Sequence, residues 1–113
     1  MTTRKQTYID ILTTAYEDGA IDYWAATTPL RWDQGMPSFD VRDWECRRDP
    51  WVPVDSKAIA KAFSALSRGE VIPHRQAYWR KAYRDAATGN FDFDAEDVDI
   101  LVQIAAFDDI VFG

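Results

Sequence analysis

Seven carboxylates stand in the last 24 residues of this 113-residue chain: Asp92, Asp94, Glu96, Asp97, Asp99, Asp108 and Asp109. No Lys or Arg lies among them. Carboxylates gathered in this way suggest three chemistries: a hard-cation site, an acid–base pair, or a negative surface for a basic partner. The cation reading takes Asp92, Asp94 and Glu96 at alternate positions, as in an EF-hand loop. That loop requires glycine at its sixth position and glutamate at its twelfth, and here they are Asp97 and Gln103. No metal is therefore expected. The pairs Asp40/Asp43 and Asp108/Asp109 are candidates for acid and base, but adjacent acids ordinarily serve a turn. Some of the run has a local use, because acids in the first helical turn favour the positive end of the dipole. The remainder points to an acidic binding face made of Asp92, Glu96, Asp97, Asp99, Asp108 and Asp109. Its field would steer a basic partner and make binding salt-sensitive.

A second charged feature has the opposite sign. Seven bases lie between Lys57 and Arg84, and Arg75, Tyr78, Trp79, Arg80, Lys81 and Arg84 interleave cations with aromatics. Such a helix can grip a phosphate backbone or stack a base, with Arg75, Tyr78, Arg80, Lys81 and Arg84 as the nucleic-acid face. The plainer reading is a solvated helix face whose aromatic half is core. Patches of opposite sign also permit self-association, so a homodimer is a further expectation.

Nucleophiles and soft ligands are sparse. Cys46 is the single cysteine and His74 the single histidine. One cysteine excludes an internal disulfide, and neither Cys-x-x-Cys nor His-x-x-x-His is present to bind zinc. A catalytic Cys46, with Arg47 and Arg48 beside it to lower its pKa, would need a base and an orienting group that no motif supplies. No Gly-rich phosphate loop appears. The expectation is a non-enzymatic protein without cofactor or small-molecule substrate. A formal charge of −6 argues against general nucleic-acid binding and against docking on anionic membranes. No apolar run approaches the roughly 18 residues of a membrane span. A soluble, cytoplasmic protein follows.

The elements that must position these residues read as an α+β single domain over 1–113: an N-terminal helix, a β-hairpin, three C-terminal helices and a short terminal strand. Tyr8, Ile11, Leu12 and Ala15 make one apolar face of a first helix over 3–18. Residues 21–27 are rich in strand formers, and 38–45 begin with apolar–polar alternation. Together they predict a long hairpin turning around 33–37. Residues 46–50 form a second turn, and 51–54 a short extended piece that Pro53 keeps at an edge. Asp55 and Asp94 are N-cap residues, with Val54/Ile59 and Phe93/Val98 as hydrophobic staples. Pro73 suits the first turn of the helix between them. The last helix, with Val98, Leu101, Val102 and Ala105 inward, is the most apolar and should be central. Trp32, Trp44 and Trp51 fall in the hairpin region, where an exposed one would be a natural interface hot spot.

Two stretches at the ends carry a resemblance. One is Asp10-Ile11-Leu12-Thr13-Thr14-Ala15 with Gly19 and Tyr23-Trp24-Ala25. The other is Asp94-Ala95-Glu96-Asp97-Val98-Asp99 with Val102-Gln103 and Asp109-Ile110-Val111-Phe112-Gly113. Together they cover roughly a third of the chain and resemble a group of short, uncharacterised proteins of bacteriophages and related mobile elements. That group tends to have glycine where this chain has Asp108; if the position is left-handed, aspartate tolerates it better than most residues. The resemblance implies a phage-type accessory protein in the host cytoplasm. By analogy with anti-CRISPR proteins, it implies a partner among host proteins or nucleoprotein complexes.

Overall fold

The computed structural model describes residues 4–45 and 50–112. A first helix, α1 (Arg4–Glu17), precedes the strands β1 (Ala25–Thr27), β2 (Arg31–Asp33), β3 (Met36–Asp43) and β4 (Val52–Val54). Three helices follow: α2 (Ser56–Ser67), α3 (Gln76–Ala86) and α4 (Ala95–Phe107), with a 3-10 turn (Pro73–Arg75) leading into α3. The α+β reading holds.

β3 is the spine of an antiparallel sheet. β2 pairs with its first half, Arg31 opposite Ser38, and β1 with its second, Thr27 opposite Val41. Three residues (Thr28, Pro29, Leu30) therefore face two (Phe39, Asp40), so β1 and β2 are one hairpin arm interrupted by a bulge. The hairpin turns through Gln34 and Gly35, both at positive φ, which matches the strand twist as a two-residue turn must. β4 lies along the other edge, Phe39 opposite Val54, with Pro53 on its solvent side. The predicted strand over 21–27 is shorter than expected. Residues 20–24 form a turn, closed by the Trp24 and Ala25 amides donating to Ile21 O (3.1 and 2.9 Å), and this buries Ile21.

Pro37, Phe39 and Val41 point inward, and Ser38, Asp40 and Arg42 point to the solvent side. The helices cover the inner face only. Their shared core joins Ile11, Leu12 and Ala15 of α1 to Ile59, Phe63 and Leu66 of α2, Trp79 and Ala86 of α3, and Val98, Leu101 and Val102 of α4. Phe63 is its aromatic centre, edge-on to Trp79, Tyr83 and Phe91. Both predicted N-caps form, with Asp55 accepting from the Ala58 amide and Asp94 from the Asp97 amide (2.8 Å each). Ile72, just before the 3-10 turn, is a β-branched residue held at φ 49, a strained position that its partial burial against the core sustains.

The predicted terminal strand does not form. Residues 110–112 run without a strand partner, because a side chain, Gln103, satisfies the backbone of Val111 and Phe112. The predicted turn at 46–50 lies outside the described residues except for Pro50.

Candidate functional site

The six acids expected on one face are not together. α4 is 13 residues long, so its two ends are separated by roughly 18 Å of helix. Asp92 and Glu96 are exposed at its N-terminal end, and Asp108 and Asp109 are exposed at the other. Asp97 is 4% exposed. As the third helical residue it completes a capping box: its Oδ2 accepts from the Asp94 amide (3.2 Å) and from the Tyr78 hydroxyl (2.7 Å). Burial raises the Asp97 pKa above the usual carboxylate value, opposed by those two bonds. Asp97 and Asp99 thus leave the expected binding face, because the fold uses their oxygens internally.

Asp99 is half-buried and belongs to a clasp. Tyr23 Oη donates to its Oδ2 (2.5 Å), and Trp24 Nε1 and Gln103 Nε2 donate to its Oδ1 (2.8 and 3.0 Å). Gln103, 1% exposed, accepts at Oε1 from the Val111 and Phe112 amides (2.9 and 2.8 Å) and donates from Nε2 to Phe112 O (3.0 Å). Phe112 then stacks on Trp24, ring centres 4.8 Å apart. Burial, then the Asp99 bond, pushes the Tyr23 hydroxyl up to about 12. The residues that carry the resemblance at the two ends of the chain therefore meet in space. Their chemistry is that of a clasp holding the C-terminal tail. Asp108 is left-handed: it has φ 62 and closes α4 by donating its amide to Ile104 O (2.8 Å).

The basic helix is also partly used up. The Tyr78 hydroxyl is tied to Asp97, and the Arg75 guanidinium lies over its ring at 4.7 Å, so neither is a free stacking platform. Burial and the Asp97 carboxylate hold the Tyr78 hydroxyl far above the ordinary phenol range. Lys81 pairs with Asp85 (2.9 Å). Arg80 and Arg84 remain exposed, one turn apart. The two-patch route to a homodimer loses several of its charges in the same way.

Asp40 and Asp43 lie on opposite faces of β3, and Asp40 pairs with Arg31 (2.8 Å). Asp109 Oδ1 accepts from the Ile110 amide (2.8 Å), which is turn chemistry. His74 is exposed in the 3-10 turn. Cys46, Arg47 and Arg48 lie outside the described residues. Among the described residues, no three His, Cys, Asp or Glu side chains come together as a metal-binding group, and no helix is long and apolar enough to cross a membrane.

A different surface does assemble, at the end of the molecule where β1 begins and β3 ends. All three hairpin tryptophans are exposed, Trp32 at the hairpin tip and Trp44 and Trp51 at this end. Trp44 is 53% exposed yet anchored: its amide donates to Trp24 O (3.0 Å) and its Nε1 to Asp22 O (2.7 Å). Tyr23, next to Asp22, is 60% exposed and touches the clasp through Gln103, which also holds the exposed Val111. Arg42 lies over the Trp51 ring at 4.4 Å. Arg42, Asp43, Pro50, Val52 and Phe107 line one hollow here, which brings the end of α4 to the same place. Asp22, Asp43 and Glu45 adjoin these aromatics in the chain, whereas Asp108 lines a separate hollow with Lys61, Arg68 and Glu70. Asp22, Glu45, Asp108 and Asp109 are exposed and Asp43 half-exposed, and none forms an ion pair with a described residue. The negative end of the α4 dipole adds to them. Asp43, as half of the Asp40/Asp43 pair, Asp109 and the tryptophans were legible as candidates in the sequence. Asp22, Tyr23 and Glu45 were not, and the local signal for them was a run of aromatics with acids between.

The chain matches no protein-family model, no curated protein and no solved structure.

Proposed function

We propose that this chain is a non-enzymatic, phage-type binding protein that docks on a host nucleoprotein complex and modulates it, in the manner of an anti-CRISPR inhibitor. The observation that carries the docking reading is the aromatic–acidic pole: Tyr23, Trp44 and Trp51 are exposed, with Asp22, Asp43 and Glu45 next to them in the chain and Asp109 exposed beyond the end of α4. Large aromatics with little rotamer entropy to lose are what interface hot spots use, and carboxylates that form no ion pair with a described residue steer a basic surface into place. The phage setting and the host cytoplasm rest on the resemblance of the two chain ends. The acidic face first expected on α4 is replaced by this pole, which retains only Asp109 of it.

The test is capture of partners from host lysate, followed by affinity measurement on the captured partner. Replacing both Trp44 and Trp51 by alanine should weaken binding by a factor of ten or more, a loss of about 2 kcal/mol typical of hot spots. Asp92→Asn with Glu96→Gln should leave it nearly unchanged, and rising salt should weaken the wild type. Full binding by the double tryptophan variant would overturn the reading. The exposed Arg80 and Arg84 keep a nucleic-acid role as the second reading. It requires retardation of single- or double-stranded nucleic acid at low salt, lost in the Arg80→Ala/Arg84→Ala variant.

A further inference from the structure

The two edges of the sheet are unequal. Alternate residues of β3 face the hairpin arm, as the Thr28 amide donating to Asp40 O (3.0 Å) shows. By the same alternation Ser38 and Met36 carry the ladder bonds to Arg31 and Asp33, and Pro37, which has no N–H, stands opposite Trp32. The N–H and C=O of Trp32 therefore point away from β3, and among the described residues no strand pairs with that side of β2. On the far edge Pro53 stands opposite Asp40, so the outward position of β4 carries no donor. Edge strands are ordinarily blunted by such devices, and β4 is. On the hairpin arm, Pro29 and the bulge guard the edge only as far as Leu30. Trp32 lies on the helix side of the sheet, across from the buried Pro37, yet is 56% exposed, so the helical layer stops short of it. Arg31 and Asp33 are exposed on the other side of the sheet. Asp33 forms no ion pair with a described residue, and Arg31 bonds one Asp40 oxygen while its side chain stays 51% exposed.

We infer that β2 is the interface of a homodimer, in which two copies pair their β2 strands antiparallel about a two-fold axis at Trp32. In that register the strand is complementary to itself in three ways. Each Trp32 amide donates to the other copy's Trp32 carbonyl, which satisfies both outward groups. Arg31 of each copy stands opposite Asp33 of the other, so unlike charges meet on one side of the sheet. The two indoles lie next to each other on the opposite side and cover each other's exposed rings. The pairing closes on itself, because it uses β2 of both copies and the β4 edge is blunted. It lies at the Met36 end of β3, and Trp44 follows the Asp43 end, so a dimer leaves the aromatic pole open. The inference is independent of the docking reading and of the two charged helices.

Three paired residues make a seam smaller than a standard interface, so the dimer should be weak, with Kd on the order of 100 µM. Sedimentation equilibrium of the whole chain, from about 10 µM to about 1 mM, should show monomer passing to dimer and nothing larger. Trp32→Ala should raise Kd about tenfold or more. Charge exchange tests the register. Asp33→Arg puts like positive charges opposite one another and Arg31→Asp like negative ones, so each variant alone should stay monomeric over that range. Mixed in equal amounts they restore both unlike pairs and should associate as a heterodimer. Circular dichroism checks that the variants fold, and Asp33→Arg leaves the Arg31–Asp40 pair in place if Arg31→Asp does not. A chain still monomeric at the highest concentration, open-ended growth, or dimerisation undiminished by Trp32→Ala or by Asp33→Arg would overturn the seam. So would a mixture of the two folded charge variants no more associated than either alone.

Discussion

Asp108 holds a left-handed conformation at φ 62, which costs an L-residue roughly 1 kcal/mol, less for aspartate than for most. It is exposed and its side chain forms no ion pair with a described residue. Asp108→Gly should therefore stabilise the protein by about 0.5 kcal/mol, the relief of strain outweighing the added freedom of the unfolded chain. Ala77→Gly, inside α3 and exposed, should destabilise by about 0.5–1 kcal/mol. Urea unfolding measures both; destabilisation by Asp108→Gly would show that the aspartate side chain does work at this cap. A second residue-scale consequence concerns pH. Tyr8, Tyr23 and Tyr78 all have raised pKa values, each chiefly through burial, with a facing carboxylate adding to the effect for Tyr23 and Tyr78. A raised folded-state pKa gives stability that is complete below the unfolded value near 10 and lost as pH climbs through the folded one. Stability should thus fall between pH 10 and 12, and Tyr23→Phe should flatten part of that fall. An identical pH profile in the variant would show that the Tyr23–Asp99 bond does not contribute.

Among the elements, α4 shows how one sequence feature serves two purposes. Its N-terminal acids were read as capping residues and as a binding face, and the capping use is realised most fully. Asp94 and Asp97 exchange bonds across the first turn, and Tyr78 of α3 closes over them. Asp94→Ala should cost about 1 kcal/mol, the usual value of a lost N-cap, whereas Asp92→Ala should change stability by less than about 0.5 kcal/mol. Equal effects in denaturant titrations would show that α4 does not depend on its cap. The sheet behaves as its alternation indicated, Phe39 and Val41 inward and Asp40 and Arg42 outward. The turn at 20–24 was not legible, because it goes with burying Trp24 against Phe107 and Asp99 of distant α4 and Phe112 of the tail.

On the scale of the whole molecule, the clasp joins the α1–β1 connection, α4 and the tail through one side chain. Gln103→Leu would strip the partners from the Val111 and Phe112 amides and from Phe112 O, and remove one from Asp99. The expected loss is about 2–4 kcal/mol, from several polar groups left wholly or partly unpaired. Hydrogen exchange at Val111 and Phe112 should approach solvent rates while the core of α2 stays protected. Retained protection at those two amides would show that packing of Phe112 on Trp24 suffices to hold the tail.

Read alone, the sequence determined the helices, their caps, the hairpin, the inward face of β3 and the α+β class. Each of these follows from periodicity and from side chains acting within a few residues of their own backbone. Only the tertiary structure decided which charges reach solvent. Asp97 and Asp99 look like Asp92 in sequence but are drawn inward by Tyr78, Tyr23 and Trp24. Meanwhile Trp44 stays exposed, anchored through Nε1 to the backbone oxygen of Asp22, 22 residues away (2.7 Å). A carboxylate's availability depends on donors tens of residues away, and no local pattern encodes that distance.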